Sequence, residues 1–409
     1  MRSLHVRTWS WQMFNVNLGT GGFAIVLASI PHKFRGQHAI GTVFFIIDIV
    51  VFIVNVVMLS LRAIHFPHLF ALSFKSHSEG VWTPVSAVAL STLLTNTMLY
   101  GIPYCGPWLL IVCEVWYWVY MFLALCLTLA YKRNFRTISR KLSEISPPDA
   151  LEVYPLMFCG VVGATLATKL AERYARRAFT VAIFSYVVSG TPRPFGNVLI
   201  ASGLGFFNGL LILSVYVAHD LMIKNTSSSV LPSHLISVGV PGFTAYTTIN
   251  LGHAALTLWR ENDIFAGAGE GGPDPQLAGQ IFFCISIWFC LLLVGMGAWL
   301  LMGFSWNAFW SWTTNPRRPI FRRWHYTWWG WTFPLTGFVG SLGRLGSYLP
   351  SRAFSILNII LVCFMGLMWL FNIVGTIVII WKGELPGGEE TIEMTRRQSD
   401  SDDEGGIPS

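Results

Sequence analysis

The sequence predicts an all-α polytopic membrane protein of about ten spans, and three observations carry that expectation. Hydrophobic residues make up 53% and charged residues only 11% of the 409 positions, whereas a soluble domain carries roughly 25% charge to cover its surface. Nine stretches each hold about 20 largely apolar residues, the length a helix needs to cross a bilayer. The chain also holds 18 tryptophans and 12 tyrosines, whose amphipathic rings settle at the headgroup level.

Taken in order, the nine stretches are 10–30, 39–61, 80–102, 107–131, 197–219, 235–257, 278–303, 325–349 and 353–381. A tenth, 153–170, is shorter, contains Gly160 and Gly163, and has Lys169 at its edge, where the ammonium can snorkel to the interface. Glycine, serine and threonine recur inside these stretches, as close helix packing in lipid requires. The first stretch has no small-residue cleavage site after it and reads as a retained helix.

Basic residues set the orientation. With an even number of spans and both termini in the cytosol, that side receives 17 lysines and arginines, Arg62 and Lys75 among them, and the other side nine. Five of those nine fall within 169–196, KLAERYARRAFTVAIFSYVVSGTPRPFG, whose apolar piece Phe179–Gly190 is too short to span comfortably. It reads as an interfacial helix, a re-entrant segment or an eleventh span. The charges of the later loops favour the first two. From Gly387 the chain turns polar and acidic, so 387–409 is expected to be a disordered cytosolic tail, with Ser399 and Ser401 set among acidic residues. Residues 1–386 then form one membrane domain. Asn225-Thr226-Ser227 matches a glycosylation sequon that this orientation places in the cytosol.

The charge of +7 is scattered over short loops and makes no nucleic-acid stripe. The seven cysteines lie mostly in apolar stretches without metal-ligand spacing, so no metal or cofactor is expected. No paired carboxylates, nucleophile–base constellation or phosphate-binding glycine loop appears, and no large soluble domain suggests a receptor. Moving a solute is what remains.

Several segments give that solute a chemistry. WSWQMFNVNLGTGGFAIVLASIPHKFRG, SHSEGVWTPVSAVALSTLL, GLGFFNGLLILSVYVAH, SVGVPGFTAYTTINLG and WWGWTFPLTGFVGSLGRLG occur in this order. Together they resemble the fungal malate permeases of the tellurite-resistance/dicarboxylate transporter family, distant kin of plant slow anion channels. The resemblance implies ten helices as five hairpins around one central pore lined by the odd-numbered helices, with trimers among bacterial relatives, so a homotrimer is an open expectation. It implies anion movement across the plasma membrane, C4-dicarboxylates being the commonest fungal substrate and sulfite export a neighbouring specialism. Departures are visible: Leu231-Pro232-Ser233 stands where the family often has Arg-Pro-Gly, and Arg344 has no counterpart in the malate permeases compared.

An anion crossing a bilayer needs hydrogen-bond donors and positive potential in place of its hydration. The seventh span offers Ser237, Gly239, Pro241, Thr244 and Thr247, where Pro241 frees backbone groups; the alternative is a packing kink with hydroxyls bonded back to carbonyls. Thr20 and Gly21 in the first span offer a similar opening. The resemblance implies a pore-closing phenylalanine in the ninth helix, matched by Phe333 and next by Phe338. Arg344, about 16 Å further along that helix, reads as a selectivity charge or a snorkelling residue. Asp48 and Glu114 are intramembrane carboxylates expected to pair with neighbouring helices. His77 and Glu79 read as a helix-start region favoured by the dipole or as a proton-linked pair.

Overall fold

A computed structural model describes residues 6–74, 76–136, 147–171, 235–261, 274–314, 326–349 and 351–382, with isolated positions at 174, 177–178, 180–182, 184, 210, 214 and 324. Among the described residues the fold is all-helical, with no strand. Residues 185–209, the sequon at Asn225, most of 197–219 and the tail from 383 lie outside the described residues.

A 3-10 turn (Trp11–Phe14) leads into α1 (Asn15–Ala28), which α2 (Gln37–His65) follows. Two short helices, α3 (Pro67–Ser73) and α4 (His77–Gly80), precede α5 (Thr83–Asn96). A π-helical turn (Thr97–Gly101) and α6 (Ile102–Cys105) prolong α5 as far as Gly106, whose φ of 83° lets the chain reverse at once into α7 (Pro107–Arg136). Proline at the first position of α7 wastes no N–H there. A 3-10 turn (Pro147–Val153) opens α8 (Tyr154–Ala171). Then come α9 (Ile236–Glu261), α10 (Pro275–Thr314), a 3-10 turn (Tyr326–Trp331) with α11 (Phe333–Tyr348), and α12 (Arg352–Lys382).

Burial sorts these helices into two classes. Of the apolar window of α8, 89% is buried, against 17% in α2 and 28% in α7. Helices α1, α5, α8, α9 and α11 pack in cyclic order, each on the next, and α11 closes back on α1. Around this ring α2 lies on α1 and α5, α7 on α5 and α8, α10 on α9 and α11, and α12 on α11 and α1. The outer helices turn valine, isoleucine, leucine and tryptophan outward, as lipid-facing surfaces must.

The five ring helices run in one direction. Along α9 and α11, Gly242 meets Gly337 and Phe338, Tyr246 meets Gly340, and His253 meets Tyr348, so both numbers rise together. On α1 and α11 the same order runs from Gly19 beside Trp329 to Gly343 beside Ser29. The Asn96 amide and Tyr100 hydroxyl of the α5 segment donate to Gly21 (3.0 Å) and Ala24 (2.6 Å) carbonyls. The Tyr154 hydroxyl of α8 donates to the Ile236 carbonyl of α9 at 2.5 Å. Outer helices return antiparallel: Phe23 meets Phe44 at 4.8 Å, while the earlier Asn17 reaches the later Asp48. Four ring-and-return hairpins are thus seen among the described residues.

Among the described residues six helices are long and apolar enough to cross a membrane on composition alone; of the nine stretches, 10–30, 235–257 and 325–349 are not among them, and most of 197–219 lies outside the described residues. Helices α1 and α11 have 14 and 16 residues because 3-10 turns take up the aromatic ends of their stretches. Helix α9 is 26 residues long but rich in glycine and threonine. All three are ring helices, and a helix covered by other helices need not be uniformly apolar. Described positions within 169–196 lie beside the apolar part of α7: Arg177 pairs with Glu114 at 3.5 Å, the Tyr117 hydroxyl reaches the Val181 carbonyl, and Phe184 meets Trp118 at 5.2 Å.

The α9–α11 contact depends on two glycines. A Cβ on Gly242 would stand 2.7 Å from the Phe338 nitrogen, and one on Gly337 would overlap the Gly242–Phe243 backbone. Neither backbone can yield as a side chain would. Gly337→Ala is therefore expected to cost about 1–3 kcal/mol of overpacking and to lower the melting temperature of the purified protein. Gly295→Ala and Gly303→Ala, with nothing near their Cβ positions, should melt like wild type; equal melting of all three would refute the close approach.

Candidate functional site

The ring is filled at one level by aromatic side chains. Phe158 of α8, Phe243 of α9 and Phe333 of α11 meet with ring centroids 4.5 Å (158–243), 5.0 Å (243–333) and 5.3 Å (158–333) apart. Tyr154, one turn before Phe158, adds contacts of 6.1 Å to Phe243 and 6.2 Å to Phe333. From the α1 side, Gly22 borders Phe333 and the Thr336 hydroxyl. Four aromatic rings, none more than 3% exposed, thus close the space between three ring helices. The chain folds this way because α1, α9 and α11 present glycines (Gly22, Gly239, Gly337) where the large rings and neighbouring backbones need room.

The residues singled out from the sequence divide by direction. Phe333 lies in the aromatic layer, and Gly239 lies under the Tyr154 hydroxyl beside it. Thr247 and Arg344, one and three turns along their helices, fall on the same faces as Phe243 and Phe333 at about 100° per residue. Other side chains turn away. Phe338 packs on Gly297 of α10, with Pro241 on the same surface, outside the ring. The Thr20 hydroxyl accepts a 3.0 Å bond from the Trp369 indole of α12 and donates to the Val16 carbonyl at 2.7 Å. Gly21 makes room for Asp48 and Thr92. Thr244 bonds back to the Val240 carbonyl at 2.9 Å, and Ser237 is buried at the start of α9. Sequence reasoning missed Tyr154, Phe158 and Phe243. The spacing of Tyr154 and Phe158, one helical turn apart on α8, was the available signal.

Glu79 stands in the first turn of α4, and its carboxylate binds both terminal nitrogens of Arg62 at 3.0 and 3.2 Å. Both side chains are fully buried. The side chain of His77 lies outside the described residues. Arg62, counted from sequence among cytosolic loop charges, belongs to the last turn of α2. It also donates to the Trp9 carbonyl at 2.7 Å. From there a buried polar chain follows the α1–α2 seam: Trp9 to Asn55 (3.2 Å), Asn55 to Asn17 (2.8 Å), Asn17 to Asp48 (2.8 Å). Among the described residues no group of three His, Cys, Asp or Glu side chains could hold a metal ion.

Comparison with known proteins gives the chain a family. The family model described as SLAC1, voltage-dependent anion channel, matches residues 8–377. A malic acid transport protein of Schizosaccharomyces pombe is 25% identical over 373 residues, covering 89% of this chain and 76% of that protein. A second S. pombe protein with a malic acid transport name is 22% identical over 389 residues, covering 94% and 83%. A sulfite efflux pump of Arthroderma otae is 22% identical over 360 residues, 87% of each chain. A family model that spans nearly the whole chain settles the assignment: the chain belongs to the SLAC1 voltage-dependent anion channel family.

Proposed function

We propose that this protein is a secondary transporter that moves C4-dicarboxylate anions such as malate across the plasma membrane, coupled to protons. In this reading ten spans form five hairpins with both termini in the cytosol, and the solute passes through the interior of the ring. The observation that carries it is the closed ring of five parallel, buried helices blocked at one aromatic layer. A shell of apolar helices around a ring rich in glycine and hydroxyl side chains shields from lipid an interior suited to a polar solute. The two similar proteins named for malic acid transport support malate as the cargo. Similarity to sulfite efflux pumps over 87% of the chain favours a second reading, sulfite export on the same scaffold.

Uptake of radiolabelled malate by a transporter-deficient yeast, measured across acidic external pH, tests the proposal. Saturable uptake that rises as external pH falls is expected. Sulfite resistance without malate uptake would move the function to the second reading, and an ohmic current indifferent to pH would replace the carrier with a channel.

A further inference from the structure

Beyond the aromatic layer, toward the C-terminal ends of the ring helices, Arg344 and Lys169 follow Phe333 and Phe158 on the same helix faces. Arg344 follows Phe333 by 11 residues, a rotation only about 20° from the same face and about 16 Å along α11. On α8, Lys169 follows Phe158 by the same 11 residues. Because α8, α9 and α11 run parallel with Phe158, Phe243 and Phe333 in contact, this register puts Lys169 and Arg344 at one level, with His253 of α9 beside it. Lys33 and Arg35 on the α1–α2 connection and Arg352 at the start of α12 sit at the same end, which also holds Asp274 and Glu261.

The surroundings of Arg344 are those of a half-built anion site. Its guanidinium interacts with the hydroxyls of Tyr246 on α9 and Tyr348 on α11. Its Nε is buried without a hydrogen-bond partner, and so is the Nδ1 of His253. The His253 ring lies 5.3 Å from that of Tyr348, and both stand at the α10 side of Arg344, 6.3 and 5.1 Å from the Phe283 ring. No carboxylate pairs with Arg344 among the described residues, although an unpaired guanidinium within a span is costly. A bound anion would satisfy the guanidinium, and tyrosine hydroxyls can turn to donate to an oxyanion.

We infer that Arg344, Tyr246 and Tyr348 form an anion-capture site in the mouth at this end of the ring, with Lys169 on the opposite wall for a second negative group. The ligand class is a carboxylate or another oxyanion, and a dicarboxylate engages both basic residues. This inference rests on the transport reading for its cargo but not for its chemistry. A purely structural role, in which Arg344 and Lys169 merely complement helix C-termini, would affect stability and leave anion affinity alone.

The test measures affinity for malate, lactate and sulfite as protection of the purified full-length protein against thermal unfolding. Arg344→Gln should weaken binding of all three at least about tenfold, the scale of losing a charge-assisted hydrogen bond. Tyr348→Phe keeps the packing and should weaken all three by a smaller factor, so a folding failure of the arginine variant does not end the test. Lys169→Gln should weaken malate about tenfold and lactate far less. Unchanged anion affinity in folded Arg344→Gln or Tyr348→Phe overturns the site, as does a wild type that none of the three anions protects. Protection by sulfite but not malate, lost in Arg344→Gln, upholds the site and overturns the dicarboxylate cargo.

Discussion

Replacing Phe333 with alanine is expected to raise anion flux through the protein by about tenfold or more, while Phe338→Ala leaves flux near wild type. The Phe333 ring touches Phe158, Phe243 and Tyr154, so its removal takes out the α11 part of the layer that fills the ring. Lowering a barrier by only about 1.4 kcal/mol multiplies a rate tenfold, and an aromatic plug is a barrier much larger than that for a hydrated anion. The same substitution removes packing worth about 3–5 kcal/mol in a soluble core, so expression and melting temperature should fall. Phe338 supplies the matching control. It is equally buried and on the same helix, but it packs on Gly297 of α10. Its truncation should cost stability without opening the path. Anion currents or tracer efflux in oocytes or proteoliposomes, normalised to protein at the membrane, separate the two. Equal flux in wild type and Phe333→Ala would remove Phe333 from the gate. Equal increases in both variants would mean that loosened packing, not an opened gate, controls flux.

How far the sequence could anticipate this differs between the two layers of helices. Outer helices answer to lipid, which demands unbroken apolar length, so hydropathy found two of them within four residues, 39–61 for α2 and 353–381 for α12, while α10 runs eleven residues past the end read for it, 278–303. Ring helices answer to each other. Their interiors alternate glycine, hydroxyl and aromatic residues, and the 3-10 turns before α1 and α11 do not disturb hydropathy, so their true lengths were invisible. Direction was harder still. Thr20 looks like any pore hydroxyl until Trp369, 349 residues away, is seen to bond it. Phe333 came from the family pattern and stands in the aromatic layer, whereas Phe243 carries no local mark separating it from ordinary packing residues and Phe158 only its one-turn spacing from Tyr154. Arg62 shows the reverse error. A basic residue at the end of an apolar run resembles a loop charge, and only the fold reveals that Glu79 neutralises it.

That pair gives the second large effect. Arg62→Ala is expected to destabilise the protein by about 3–5 kcal/mol, the usual cost of stripping one partner from a buried ion pair. The figure applies because both side chains are fully buried, so the Glu79 carboxylate could not regain solvation from water. Arg62 also holds the Trp9 carbonyl at 2.7 Å, and Trp9 begins the chain of buried amides that fixes α1 against α2. Its loss should therefore loosen the α1 entry as well as α4. Glu79→Gln should cost less than Arg62→Ala, because the amide oxygen can still accept from one guanidinium nitrogen. Replacing both partners with apolar residues of similar volume, Arg62→Met with Glu79→Leu, should recover much of the loss, since no charge is then left buried alone. Melting temperatures of wild type, Arg62→Met, Glu79→Leu and the double variant, read beside their elution as single species from gel filtration, measure this cycle. An Arg62→Ala protein that melts with wild type would show that the pair is exposed to water. A double variant as unstable as the sum of its parts would show that the two residues act separately, and the buried ion pair would then not be what anchors this entrance of the ring.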